Sequence, residues 1–186
     1  MYKYLFLLLL LPLNLLSQTE QQQKIIDGLK QAENHLDSIY HIKQYDRFIV
    51  APITSDSLVR KGYIYVFGNL KNYCVRYHFL FQLTSGNNKL NLRSLEIKQR
   101  IISDKVLNAL KNPTGFYQGD LININSLFYK NHQIKVMKGR PYYFVFIDKH
   151  NHKYGESILP IFISPTPFPK TLYEYILKDL LDLHYQ

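Results

Sequence analysis

The chain has 186 residues, with 23 Lys and Arg against 14 Asp and Glu, a formal net charge of +9, and a single cysteine. This length fits one domain able to bury a sizeable core. The lone Cys74 excludes an internal disulfide framework, so the fold must be held by packing. The charge is uneven: residues 60–153 hold sixteen basic and four acidic side chains, for a net +12, and the flanks on both sides are mildly acidic. Such a surplus points towards an acidic protein or an anionic polymer as partner. Nucleic acid is the less favoured anion, because no exposed stacking aromatics can be assigned beside the charges.

The chain begins with Lys3 and an apolar run from Leu5 to Leu16, interrupted by Pro12, followed by Ser17 and the polar Gln18-Thr19-Glu20-Gln21. A basic start, a short apolar core and a small residue before a polar stretch predict an export signal over residues 1–18. A membrane span needs about 20 largely apolar residues, more than this run offers. Residues 19–186 are then expected to form one α+β domain in the periplasm or outside the cell, with no integral span once the signal is removed.

The segment from Thr19 to about Phe48 predicts a helix. Ile25, Leu29, Ala32, Leu36 and Ile39 recur at spacings of four and three, giving one apolar stripe. Glu33 and its charged neighbours are assigned to the wet side. Ala51 to Ser57 reads as a connection. Strands follow at Tyr63–Phe67 and Tyr73–Leu83. In the second, Tyr73, Val75, Tyr77, Phe79, Phe81 and Leu83 alternate with Cys74, Arg76, His78, Leu80 and Gln82. Period two sends the first set to a core and leaves the second exposed or in a groove. After a loop at Thr84–Asn88, Lys89–Ile97 predicts another strand. Leu90 and Leu92 have one parity, Leu95 and Ile97 the other, so a β-bulge near Arg93 or Ser94 is expected.

A short helix is expected over Ile102–Lys111, closed by Pro113 and Gly115. Strands are then expected at Leu121–Phe128, Gln133–Met137, Tyr142–Asp148 and Ser157–Ile163. Pro165, Pro167 and Pro169 mark a loop. The last helix runs from Lys170 to Leu183, with Leu172, Ile176, Leu180 and Leu183 inward. The order predicts an α+β fold: a largely antiparallel sheet, able to curve, packed against N- and C-terminal helices.

No P-loop, dinucleotide glycine pattern, HExxH, paired CxxC or G-x-S-x-G elbow is present. The expected function is therefore an exported binding or interaction protein whose basic sheet surface meets an anionic or acidic partner. Arg76, His78, Lys89 and Arg93 are its candidate ligand-binding residues, because guanidinium forks give directional donors to carboxylate or phosphate. An ordinary solvated sheet face explains the same charges. Lys135, Lys138 and Arg140 form a second basic cluster that equally serves to guard a strand edge. His150 and His152, with Asp148 or Glu156, are weak metal candidates; a polar turn accounts for them better, and no metal or other cofactor is assigned. The alternative is a small exported hydrolase built from convergent Asp104, Asp120, Glu156 and histidines. An assembly subunit is a third reading, and the oligomeric state stays open.

Overall fold

A computed structural model of the full chain describes residues 2–53, 59–70, 72–83, 90–111, 115–116, 122–123, 135–136, 140–160, 163–164, 166 and 167–184. Within them the elements run α1 (Tyr2–Tyr40), β1 (Asp46–Pro52), β2 (Arg60–Leu70), β3 (Tyr73–Leu83), β4 (Leu90–Ile101), α2 (Asp104–Lys111), β5 (Ile122–Asn123), β6 (Lys135–Val136), β7 (Pro141–Ile147), β8 (Lys153–Pro160), β9 (Ile163–Ser164) and α3 (Lys170–His184). The main sheet has the order β4-β3-β2-β1-β7-β8-β5. Its first six strands pair antiparallel, and the short β5 joins β8 in parallel. β6 and β9 form a separate two-stranded ribbon. The α+β architecture with helices on an open antiparallel sheet is the one the chain pattern predicts.

Each face of the sheet has its own core. On one, α1 packs Ile25, Ile26, Leu29, Ala32 and Leu36 against Ile49, Ile64, Phe79 and Val145. Gly62 permits the close approach: a Cβ there would lie 2.4 Å from the Phe79 ring and 3.1 Å from Leu29. On the other face, α2 and α3 pack Val106, Leu172, Tyr173, Ile176 and Leu180 against Phe48, Tyr65, Phe67 and Phe144. Every described core residue of α1 lies at or beyond Ile25. Among the described residues no helix is long and apolar enough to cross a membrane.

The first helix ends earlier than its periodicity suggests. His41 takes a left-handed conformation (φ 53°), and its N–H bonds the Asp37 carbonyl. Asp37 Oδ1 then accepts the Lys43 N–H at 2.8 Å. The chain turns through a short 3-10 segment, Ile42–Gln44, straight into β1. Phe48 and the start of the expected connection thus belong to a strand. β1 is central and buried on both faces, so Phe48-Ile49-Val50-Ala51 shows an unbroken apolar run instead of alternation.

The β3 bounds match the alternating segment residue for residue. In the β3–β4 register, Leu80 faces Ser94 and Phe81 faces Leu92, so Arg93 is the extra residue of a bulge. That bulge puts Leu90, Leu92, Leu95 and Ile97 on one face, as the parity switch requires. Of the expected Leu121–Phe128 and Gln133–Met137 strands, only β5 and β6 fall within the described residues.

Candidate functional site

Aligned residues across the sheet build a polar corner under α3. One row reads Phe146, Phe48, Tyr65, Arg76, Lys98 from β7 to β4. The neighbouring row reads Phe67, Cys74, Arg100. The aromatic end of each row belongs to the core, and the charged end approaches the C-terminal helix. There Asp179 projects from the inward stripe of α3, buried at 7 % exposure.

Asp179 is the hub. Its Oδ2 accepts from Arg76 Nη1 and from the Tyr65 hydroxyl, each at 2.8 Å. Its Oδ1 pairs with Arg100 Nη2. Two guanidiniums therefore share one carboxylate. Nε and Nη2 of Arg76 and Nε of Arg100 are buried without a partner among the described residues. Buried donors normally find acceptors, and an orphan costs about 1–3 kcal/mol. Three orphan N–H-bearing atoms around one anion leave this corner short of negative charge.

The pKa shifts follow the same geometry. Burial pulls the Arg76 guanidinium down, but its hydrogen bond to Asp179 and the carboxylate's charge outweigh that and hold it above its ordinary value. Burial, then the charge and hydrogen bond of Asp179, push the Tyr65 phenol well up, so it remains a donor. Burial pushes the Cys74 thiol up to about 11, against the lowering effect of its contact with Tyr175. Cys74 Sγ and the Tyr175 hydroxyl lie 3.2 Å apart.

An open cleft of ≈ 560 Å³ lies beside this corner, between the end of β4, the link to α2, and α3. Arg100, Ser103, Tyr175, Lys178 and Asp179 line it. Arg76 is not in the lining; it stands behind Asp179. The cleft thus offers two cations, a hydroxyl and a phenol around a single carboxylate that is already shared. It suits a carboxylate or phosphate group by charge and by donor type.

The four residues expected to bind ligand have different fates. Arg76 is fully buried, correcting the expected exposed or groove position. Its strand face is roofed by α3, a long-range packing that strand alternation does not reveal. His78 stands half-buried, stacked on Tyr63 with ring centroids 4.7 Å apart, and its Nδ1 lies 3.3 Å from Glu96 Oε2. Burial lowers its pKa. Arg93, the bulge residue, bonds the Gln82 side chain in the open, towards the other end of the hairpin. Lys89 lies outside the described residues. The structure brings Arg76 together with Arg100, Lys178 and Asp179 instead. A sequence signal for Asp179 exists: it is an acidic residue three positions after Ile176, inside an apolar stripe.

Asp148 closes the β7–β8 turn. It accepts the backbone N–H groups of His150 and His152 at 2.8 Å, and its other oxygen meets His152 Nδ1 and the Tyr154 hydroxyl. Its oxygens are engaged in shaping the turn. Among the described residues no group of three or more His, Cys, Asp or Glu is placed to hold a metal ion. Glu156 accepts from the Tyr143 hydroxyl and Lys153, Asp104 lies in the first turn of α2, and Asp120 is outside the described residues. Of the second basic cluster, Arg140 is exposed, Lys138 is outside the described residues, and only the backbone of Lys135 is described.

Comparison with protein-family models, with curated proteins and with solved structures finds no match.

Proposed function

We propose that the protein is an exported binding protein that takes hold of an acidic partner through a carboxylate or phosphate group seated in the Arg100 cleft. The observation that carries this reading is the sharing of Asp179 by Arg76 and Arg100, with Arg100 and Lys178 lining an open cleft beside the shared carboxylate. An anion entering beside Arg100 and Lys178 relieves the local positive surplus. The basic middle of the chain adds a longer-range attraction. The hydrolase alternative finds no group of three or more metal-ligating side chains among the described residues.

Titration with inorganic phosphate and with poly-glutamate across a salt series tests the reading. Binding is expected to weaken as salt rises, because exposed charges are screened. Arg100→Gln and Lys178→Gln are expected to weaken it further. Absent binding, or binding indifferent both to salt and to these substitutions, overturns it.

Export rests on the leader. Among the residues of α1 whose side chains are described, the buried stripe runs from Ile25 to Leu36. N-terminal sequencing of the product from the secreting cell is expected to begin at residue 18, 19 or 20. A full-length product confined to the cytosol rejects this part of the proposal.

A further inference from the structure

We infer that the outer edge of β4 is a self-association surface, on which a second copy of the chain pairs antiparallel about a two-fold axis through Ile97. β4 is the terminal strand of the main sheet, and no described strand pairs with its outer side. It spans Leu90–Ile101, long for an edge. Exposed edges usually carry charges or bulges along their length to prevent pairing. Here the bulge at Arg93 and the hydrogen bond from Leu90 N–H to the Gln31 side chain lie in the first part of the strand. Beyond Arg93 the β3–β4 register runs without a further shift, and the charges on that stretch, Glu96, Lys98 and Arg100, are of both signs.

The two faces of that open stretch differ. On the α1 side it shows Leu95, Ile97 and Ile101, the last two 44 % and 74 % exposed, beside the exposed Tyr73. Ile39 and Tyr40 at the end of α1 continue this apolar strip, with the Tyr40 ring 5.3 Å from that of Tyr77. On the α3 side the same stretch carries Glu96, Lys98 and Arg100 in alternate positions. An edge charged on one face and apolar on the other fits a sheet continued by a partner strand.

The charge order selects a second copy and a register. Continuing the sheet with its faces in line places residues of like parity opposite one another. Pairing about Ile97 puts each Glu96 across from the other copy's Lys98, and each Arg100 across from Ser94. It also sets Ile97 against Ile97 and Leu95 across from Gln99, with Ile101 reaching the bulge at Arg93. A shift to Lys98 as the centre pairs Glu96 with Arg100 and Leu95 with Ile101, but it sets Lys98 against Lys98 and draws on an arginine already paired with Asp179; a shift to Glu96 sets two carboxylates together. Like charges directly opposite are destabilising. In the single chain Glu96 bonds Lys98 along its own strand at 2.5 Å. The pair needs only to exchange partners across the axis. Such a contact is isologous and closes as a dimer.

Sedimentation equilibrium of the purified protein tests this, with circular dichroism to verify folding. A concentration-dependent dimer is expected. Glu96→Lys and Lys98→Glu each turn two opposite-charge pairs into like-charge pairs, and each is expected to raise the dimer dissociation constant by roughly tenfold or more. The double variant E96K/K98E restores complementarity and is expected to recover the dimer. Ile97→Lys places two ammonium groups on the axis and is expected to give monomer. A wild-type monomer at all concentrations overturns the inference. So does a dimer that persists in Ile97→Lys, or a folded double variant that stays as weak as the singles. Arg100, Lys178 and Asp179 are unchanged in all of these, so the outcome is independent of the anion reading.

Discussion

Two buried arginines sit on opposite faces of the same sheet, and they are bonded very differently. Arg47, on the α1 face, donates Nε to Glu33 at 2.5 Å and Nη2 to the Asn151 side chain at 2.7 Å. Its Nη1 reaches the carbonyls of Lys43, Tyr45 and Asp148 at 3.3–3.4 Å. Each terminal nitrogen has an acceptor, and one carboxylate answers one guanidinium. Arg76, on the α3 face, donates only Nη1, to a carboxylate it shares with Arg100. The Arg47 site is closed on itself: it ties α1, β1 and the β7–β8 turn together. The Arg76 corner is incomplete and lies next to solvent. Both use a buried ion pair, so burial alone does not distinguish the closed Arg47 site from the proposed anion site. The count of donors against acceptors does.

The sharpest break of this comparison is to neutralise each carboxylate. Glu33→Gln and Asp179→Asn each leave a buried guanidinium without its anion, and each is expected to cost about 3–5 kcal/mol in urea unfolding. Phosphate is expected to recover part of the loss in Asp179→Asn, by about 2.7 kcal/mol at a hundredfold excess over its dissociation constant. Measured against the stabilisation that phosphate gives the wild type, it is expected to recover none in Glu33→Gln, whose cleft is intact. Equal recovery in both variants removes the distinction between the two arginines.

The next effect is on pH. Cys74 in the α3 core has its thiol raised from 9.0 to about 11. A folded-state pKa above the unfolded one means that the native state holds its proton longer. The stabilisation is complete below about pH 9 and is lost as pH rises towards 11, a loss on the order of 2–3 kcal/mol. Stability curves of the wild type and Cys74→Ala, measured from pH 8 to 11, are expected to converge over that window. Parallel curves contradict it.

Smaller effects sharpen the contrast. Tyr65→Phe removes one of three donors from Asp179 and is expected to cost about 1.5 kcal/mol, since two guanidiniums still hold the carboxylate. Lys178→Gln, on the exposed side of α3, is expected to leave thermal stability within about 0.5 kcal/mol of wild type. Its phosphate affinity is nonetheless expected to fall. A Lys178→Gln variant that binds phosphate as wild type removes Lys178 from the cleft's function.

Several elements were legible because their signal is local. Tyr73–Leu83 alternates strictly, and one face of it is apolar throughout. The parity switch between Leu92 and Leu95 shows where a residue must be accommodated. α3 repeats its apolar stripe over four turns. β1 was hidden, because a strand buried on both faces loses alternation, and its apolar run merges with the end of α1. Of the candidate site, Arg76 was legible as a residue of interest but not as a buried one. Arg100 and Lys178 carry no local signal that separates them from solvated charges, and Asp179 shows only as an acidic residue within the apolar stripe of α3. Charge alone sends Glu33 to solvent, yet it stands four residues after Leu29 on the packed side of α1 and is buried. An acidic residue at such a position can mean either a frayed edge of the stripe or a paired charge.

What resolves that ambiguity lies far along the chain. Arg47 is 14 residues from Glu33, and Arg76 is 103 residues from Asp179. Hydrophobic period and turn chemistry act over a few residues, so they specify helices, strands and the bulge directly from residue order. Whether a charge is paired depends on which elements cover which face. That is set by the global packing of α1 and α3 on the sheet, which brings each buried ion to its counter-ion.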